Sequence, residues 1–159
     1  MRFRYFVSIV LIVFLAGCSS KDAVVISVKV KSPEKTTLFL SKIDFNKTIK
    51  LDSVRISAGE SVKKFKVKQG EEPEFYSLST SKGLAITLLA SKGEKINVIL
   101  DLNNAIDYQV SGSEDSEKVR WVTRTFAKSK TAVDELSKRY LNAESNSERE
   151  LINNQFEQE

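Results

Sequence analysis

From Val24 to Val110 the apolar residues of this chain recur at every second position, and that period decides what it can fold into. Successive side chains of a strand point to opposite faces, so such alternation builds a sheet with one dry and one wet side. Ile26, Val28 and Val30 alternate with Ser27, Lys29 and Lys31, and Phe65 and Val67 with Lys64, Lys66 and Lys68. Ile96, Val98, Leu100 and Leu102 alternate with Lys95, Asn97, Ile99 and Asp101. Leu38 with Leu40, and Leu84 with Ile86 and Leu88, form two more such faces. One-sided strands must bury their dry faces against one another. The pattern therefore predicts a mainly β fold, an antiparallel β-sandwich of about seven or eight strands.

Turn-forming residues fall where hairpins need them: Ser32-Pro33, Ala58-Gly59, Gly70 through Pro73, Ser81-Lys82-Gly83, Ser91-Lys92-Gly93 and Asn103-Asn104. The twice-used Ser-Lys-Gly reads as two similar glycine turns. Between Ile49-Leu51 and Val54-Ile56 the buried phase slips by one residue, which predicts a β-bulge at Asp52-Ser53 that re-aims an edge.

After Gly112 the period lengthens. Val119, Val122, Phe126, Val133, Leu136 and Tyr140 follow three-four spacing, with Ser129 filling the gap, and mark one face of a helix reaching about Leu141. Ser113 suits its N-cap, and Glu114, Asp115 and Glu117 place negative charge on the positive end of its dipole. Ser145 and Glu148 have capping-box spacing and open a second helix through Leu151, Ile152 and Phe156. No stop signal follows before Glu159, so the expectation is a helical segment leading into a further C-terminal domain. A terminal amphipathic helix docked on the sheet is the alternative.

At the other end, Arg2 and Arg4 precede an apolar run from Tyr5 to Phe14 broken only by Ser8. This is the layout of a secretory signal, and its apolar run of about ten residues is half of the roughly 20 that a spanning helix requires. Leu15, Ala16, Gly17 and Cys18 resemble the lipobox of bacterial lipoproteins. There, small residues admit the peptidase and the cysteine thiol receives a diacylglyceryl group. The expected organisation is a signal peptide over 1–17, a lipidated cysteine and tether over 18–23, a sandwich over 24–112 and a helical segment over 113–159. Two or three acyl chains, at about 0.8 kcal/mol per buried methylene, make such an anchor effectively permanent. Ser19 after the cysteine, in place of Asp, is compatible with onward transfer to the outer membrane of a cell envelope.

Two shortages restrict the chemistry. The chain has no histidine and one cysteine. A Ser-His-Asp or Cys-His nucleophile system has no imidazole base, and a zinc or copper site has neither imidazole nor spare thiolate. Neither a Cys-x-x-Cys pair nor an internal disulfide can form within these residues. No catalytic residue, metal or cofactor is expected. The formal charge of +4 includes Arg2 and Arg4, so the expected mature chain carries 23 basic and 21 acidic side chains. That interspersed near-neutrality argues against a nucleic-acid partner.

Lys29, Lys31, Lys64, Lys66 and Lys68 are the candidate basic face, suited to anionic headgroups or polysaccharide phosphates, although lysines also simply keep strands soluble. Phe39, Phe75 and Tyr76 are candidate aromatic contacts or core residues. Asp101, Asp107, Glu114 and Asp115 lack the one-three-five spacing of a calcium loop. Trp121, beside the helical stripe, packs either on the sheet or against a neighbouring domain.

Leu51-Asp52-Ser53, Gly59, Phe65-Lys66-Val67, Leu89 through Gly93, Ile96 to Asp101 and Val110-Ser111-Gly112-Ser113 together resemble one family. It is the N-terminal domain of unknown function (DUF4369-like) of thioredoxin-like lipoproteins of Gram-negative gut bacteria. The similarity runs from about Val24 to Phe126. It departs at Glu60 to Lys64, which separate the glycine from its Phe-x-Val strand and imply a lengthened hairpin. The resemblance implies a non-catalytic accessory module, followed in that family by a thioredoxin or thiol peroxidase domain that carries the redox cysteines. The expected partners are the membrane, through the lipid, and an envelope protein or such a C-terminal domain.

Overall fold

A computed structural model describes residues 22–157. The signal segment, Leu15, Ala16, Gly17, Cys18 and most of the tether lie outside the described residues. Eight strands form the body: β1 (Ala23–Ser32), β2 (Thr36–Asp44), β3 (Lys47–Ile56), β4 (Gly59–Lys68), β5 (Glu74–Thr80), β6 (Ala85–Ala90), β7 (Lys95–Asp101) and β8 (Gln109–Ser111). Two helices follow, α1 (Glu114–Asn142) and α2 (Asn146–Phe156).

The strands divide into two four-stranded sheets, ordered β4-β1-β7-β8 and β3-β2-β5-β6. The mainly β sandwich with two C-terminal helices is therefore what the alternation foretold. Its core is the alternating set: Val24, Ile26, Val28 and Val30 of β1, Leu38 and Leu40 of β2, Tyr76 and Leu78 of β5, Leu88 of β6 and Ile96 of β7 have no exposed surface. One pairing differs from a purely antiparallel scheme. β1 lies between β4, which it meets antiparallel, and β7, which it meets parallel.

The bulge is present but displaced. Leu40 faces Asp52 while Ser41 faces Lys50, leaving Leu51 as the extra residue. The shift turns the first half of edge strand β3 off the core, so Ile49 and Leu51 are exposed and only Val54 and Ile56 pack inward.

A pair of serines fastens α1 to the sandwich. The Ser113 hydroxyl accepts from the Ser116 N–H as the N-cap and donates to the Leu89 carbonyl at 3.1 Å. The Ser116 hydroxyl donates to that same carbonyl at 2.7 Å and accepts from the Leu89 N–H at 3.1 Å. Leu89 belongs to β6, the last strand of its sheet, so these hydroxyls stand in for a neighbouring strand and satisfy an edge that would otherwise be open. The chain enters the helix through Gly112, whose φ of +87° favours glycine and whose missing Cβ would overlap the Lys95 carbonyl.

Beyond those turns the expected apolar face of α1 is not buried as a unit. α2 covers Leu136 and Tyr140 with Ile152 and Phe156, whereas Val122 and Phe126 stay exposed, as does Trp121. The reason is rotational: α1 meets the sandwich along Ser116, Arg120, Arg124 and Ala127, about a third of a turn from the stripe. α2 opens as its spacing foretold, with Ser145 accepting from the Glu148 N–H, while the Glu148 carboxylate reaches back to the N–H of Glu144.

Replacing Ser116 by Ala leaves the Leu89 N–H without a partner and its carbonyl with Ser113 alone. Urea denaturation should show a loss of about 1–3 kcal/mol. Thr123→Ala, which removes a hydroxyl bonded only within its own helix, should stay within about 0.5 kcal/mol.

Candidate functional site

Strand register places the five lysines singled out in the sequence on one surface, the outer face of the β4-β1-β7-β8 sheet. Reading across β4, β1 and β7 from the end where β1 begins, the rows are Lys68–Ala23, Lys66–Val25–Lys95, Lys64–Ser27–Asn97, Val62–Lys29–Ile99 and Glu60–Lys31–Asp101. Rows are spaced by about 6.6 Å and neighbouring strands by about 4.8 Å, so the cations lie within reach of a single extended polyanionic surface. The face is sorted by charge. At the far end Lys29 pairs with Glu60 at 3.1 Å and Lys31 with Asp101 at 3.3 Å. At the near end Lys64, Lys66, Lys68 and Lys95 have no carboxylate in ion-pair range among the described residues.

Lys95 was not foreseen as a member of this set. It joins through the parallel β1–β7 pairing, which has no local signature. Lys92 was missed as well. Its ammonium bridges Asp22 at 2.8 Å and Glu71 at 2.6 Å, tying the start of β1 to two connections at the near end. Hydrogen bonding to these two carboxylates pushes the Lys92 amine up, and the same bond holds the Asp22 carboxyl below its usual range.

The same end is closed by a polar network. Gln69, nearly buried, donates to the carbonyls of Ala90 at 2.7 Å and Glu72 at 2.9 Å. The hydroxyl of buried Tyr76 donates to Glu74 Oε2 at 2.9 Å, with Gln69 Oε1 at 3.2 Å as a second acceptor, and Lys42 holds the other Glu74 oxygen at 2.6 Å. Burial, followed by the Glu74 bond, pushes the Tyr76 phenol far up. Tyr76 is thus a core residue. Phe39 lies under the Lys50 ammonium, 4.5 Å from the ring centre, and Phe75 is exposed on the same sheet, paired with Ile43 where Phe39 is paired with Ser79. The three aromatics do not converge.

The four carboxylates considered for calcium are dispersed. Asp101 accepts from the Asn103 N–H, which with Lys31 holds its carboxyl low. Asp107 pairs with Arg124 at 2.9 Å, and Glu114 and Asp115 both face Lys118. Among the described residues no three His, Cys, Asp or Glu side chains gather as a metal site.

A cavity of about 210 Å³ lies between β6, the 105–108 segment and α1, lined by Leu84, Ile86, Ile106, Tyr108, Arg124 and Ala127. The Tyr108 hydroxyl and Arg124 Nε are buried beside it and find no hydrogen-bond partner among the described residues. Burial pushes the Tyr108 phenol up, only partly opposed by the nearby Arg120 cation. Its folded form therefore keeps its proton where the unfolded chain, titrating near about pH 10, loses it. Stability present below pH 10 is lost as the pH rises past it. Tyr108→Phe should leave stability at pH 7 unchanged or higher and make the alkaline loss shallower, as followed by thermal melts between pH 8 and 11.

Two facing sheets, an outer surface sorted by charge and a helical exit define a small β-sandwich module. Residues 24–119, more than half the chain, match the family described as "Domain of unknown function (DUF4369)", and the chain belongs to that family. No curated protein matches it. A solved NMR structure of a protein from Eubacterium rectale is similar at 16% identity and a TM-score of 0.30, covering 58% of this chain and 89% of that one. No catalytic family is indicated.

Proposed function

We propose that the chain is a lipid-anchored, non-catalytic interaction and positioning module of a bacterial cell envelope, held through acylated Cys18 at the outer membrane. The observation that carries this reading is one of spacing. The Leu15-Ala16-Gly17-Cys18 sequence ends five residues before Ala23, where the central strand β1 begins. A tether that short, at most about 17 Å when extended, would hold the sandwich against the membrane surface. The lack of histidine and of a second cysteine supports a role without turnover.

A second reading is favoured by exposed Trp121, Val122 and Phe126 on α1. In it, this module is the front part of a longer thioredoxin-like thiol-disulfide oxidoreductase or thiol peroxidase whose redox domain lies outside this chain. An apolar surface of that kind suits an adjoining domain.

Expressed from its own gene, the wild-type protein should partition into detergent with the envelope fraction, while Cys18→Ala should leave that phase almost completely. The purified chain should not reduce insulin disulfides. Measurable turnover by residues 18–159 would refute the non-catalytic reading.

A further inference from the structure

The strand directions gather several unexplained features at one end of the sandwich. β1, β3, β5 and β7 begin there, and β2, β4 and β6 finish there, as the bonds from Gln69 N–H to the Asp22 carbonyl (3.0 Å) and from Val25 N–H to the Glu94 carbonyl (2.9 Å) confirm. The β2–β3 turn at this end carries Phe45, fully exposed and held at a φ of 41°. A bulky residue is rarely kept in that left-handed region, and the ring gains no burial from the fold in return. Toward the same end, on the outer face of the other sheet, stand Lys64, Lys66, Lys68 and Lys95.

We infer that this end is a docking face for a bilayer containing anionic phospholipid, with Phe45 as an apolar finger at the acyl boundary and the four lysines on the headgroups. Three observations favour a lipid surface over a protein partner. An exposed aromatic at the same end of the fold as unpaired lysines is the composition of an interfacial anchor. On the outer face of the β4-β1-β7-β8 sheet the charge sorting is directional, with its unpaired cations toward this end and its paired ones toward the other, where Lys35 and Arg55 also lie off that face without an ion pair among the described residues. Carboxylates at this end are largely occupied: Asp22 and Glu71 by Lys92, Glu74 by Lys42, Asp44 by Lys47, and Glu94 by the Ser91 N–H. Glu72 and Glu94 are the exceptions in having no cation in ion-pair range among the described residues. The orientation rests on the anchored reading, because Cys18 lies five residues from this same end. The vesicle affinity does not.

Among the described residues every core side chain follows residue 22, so the unacylated chain from Ser19 contains all of the described core. That chain should bind vesicles of phosphatidylethanolamine and phosphatidylglycerol at 0.1 M salt and leave vesicles of phosphatidylcholine. Each lysine beside an anionic surface strengthens binding about five-fold, so replacing Lys64, Lys66, Lys68 and Lys95 together by Gln should weaken it by more than about 10²-fold. Lys29→Gln with Lys31→Gln, at the paired end, should change it far less. In a Trp121→Phe background, Phe45→Trp should shift its emission to the blue on anionic vesicles and be quenched by brominated acyl chains. Equal binding to neutral vesicles, indifference to the four lysines, or emission unchanged from water would each overturn the inference. Because acylation is absent from this experiment, a failure here is separable from failure of the Cys18 anchor, which the mass of the membrane-extracted protein reports.

Discussion

The two-sided pairing of β1 is the constraint on which the rest depends. Its inward residues Val24, Ile26, Val28 and Val30 meet the opposite sheet, its antiparallel partner β4 brings Phe65 and Val67 to the same layer, and its parallel partner β7 brings Ile96, Val98 and Leu100. A slip of one residue in either pairing would send one partner's apolar set into water and its lysines or polar residues into the core. The same register that builds the dry layer therefore fixes the outer rows. Lys66 and Lys95 flank Val25 because Ile26 must face Phe65 and Ile96.

Alternation made most of this legible in advance. Strand faces around Ile26, Leu38, Phe65, Ile86 and Ile96 were evident because period two is a local signal. Both helix starts were equally plain, one from the capping serine Ser113 and the acidic turn after it, the other from the capping-box spacing of Ser145 and Glu148. Pairing was not legible. The parallel β1–β7 ladder joins residues about 70 positions apart, and nothing within either strand announces the other's direction. Lys95 was separated from the other lysines for that reason. The bulge was legible to within a residue, because a change of phase marks where an extra residue must enter without saying which one it is.

The helical stripe shows the opposite failure. Its three-four spacing correctly specified a helix, but an amphipathic pattern states only that a face is apolar. Which surface α1 turns toward the sandwich is decided by two serines that bond an edge strand, a polar contact invisible to hydropathy. The Gln69–Tyr76–Glu74 network was hidden similarly, since an aromatic and two polar residues in and beside strands look like ordinary strand residues until the fold brings them together. These polar devices close the open parts of the sandwich, one at the β6 edge and one at the end where β1 begins.

The proposed function joins a sandwich to Cys18, the cysteine proposed to be acylated, five residues before its first strand. Intact mass spectrometry of the protein extracted from its native membranes tests this most directly. The account predicts a chain that begins at Cys18 and carries two or three acyl groups. A chain beginning at Met1, or one with an unmodified Cys18 thiol, would contradict it.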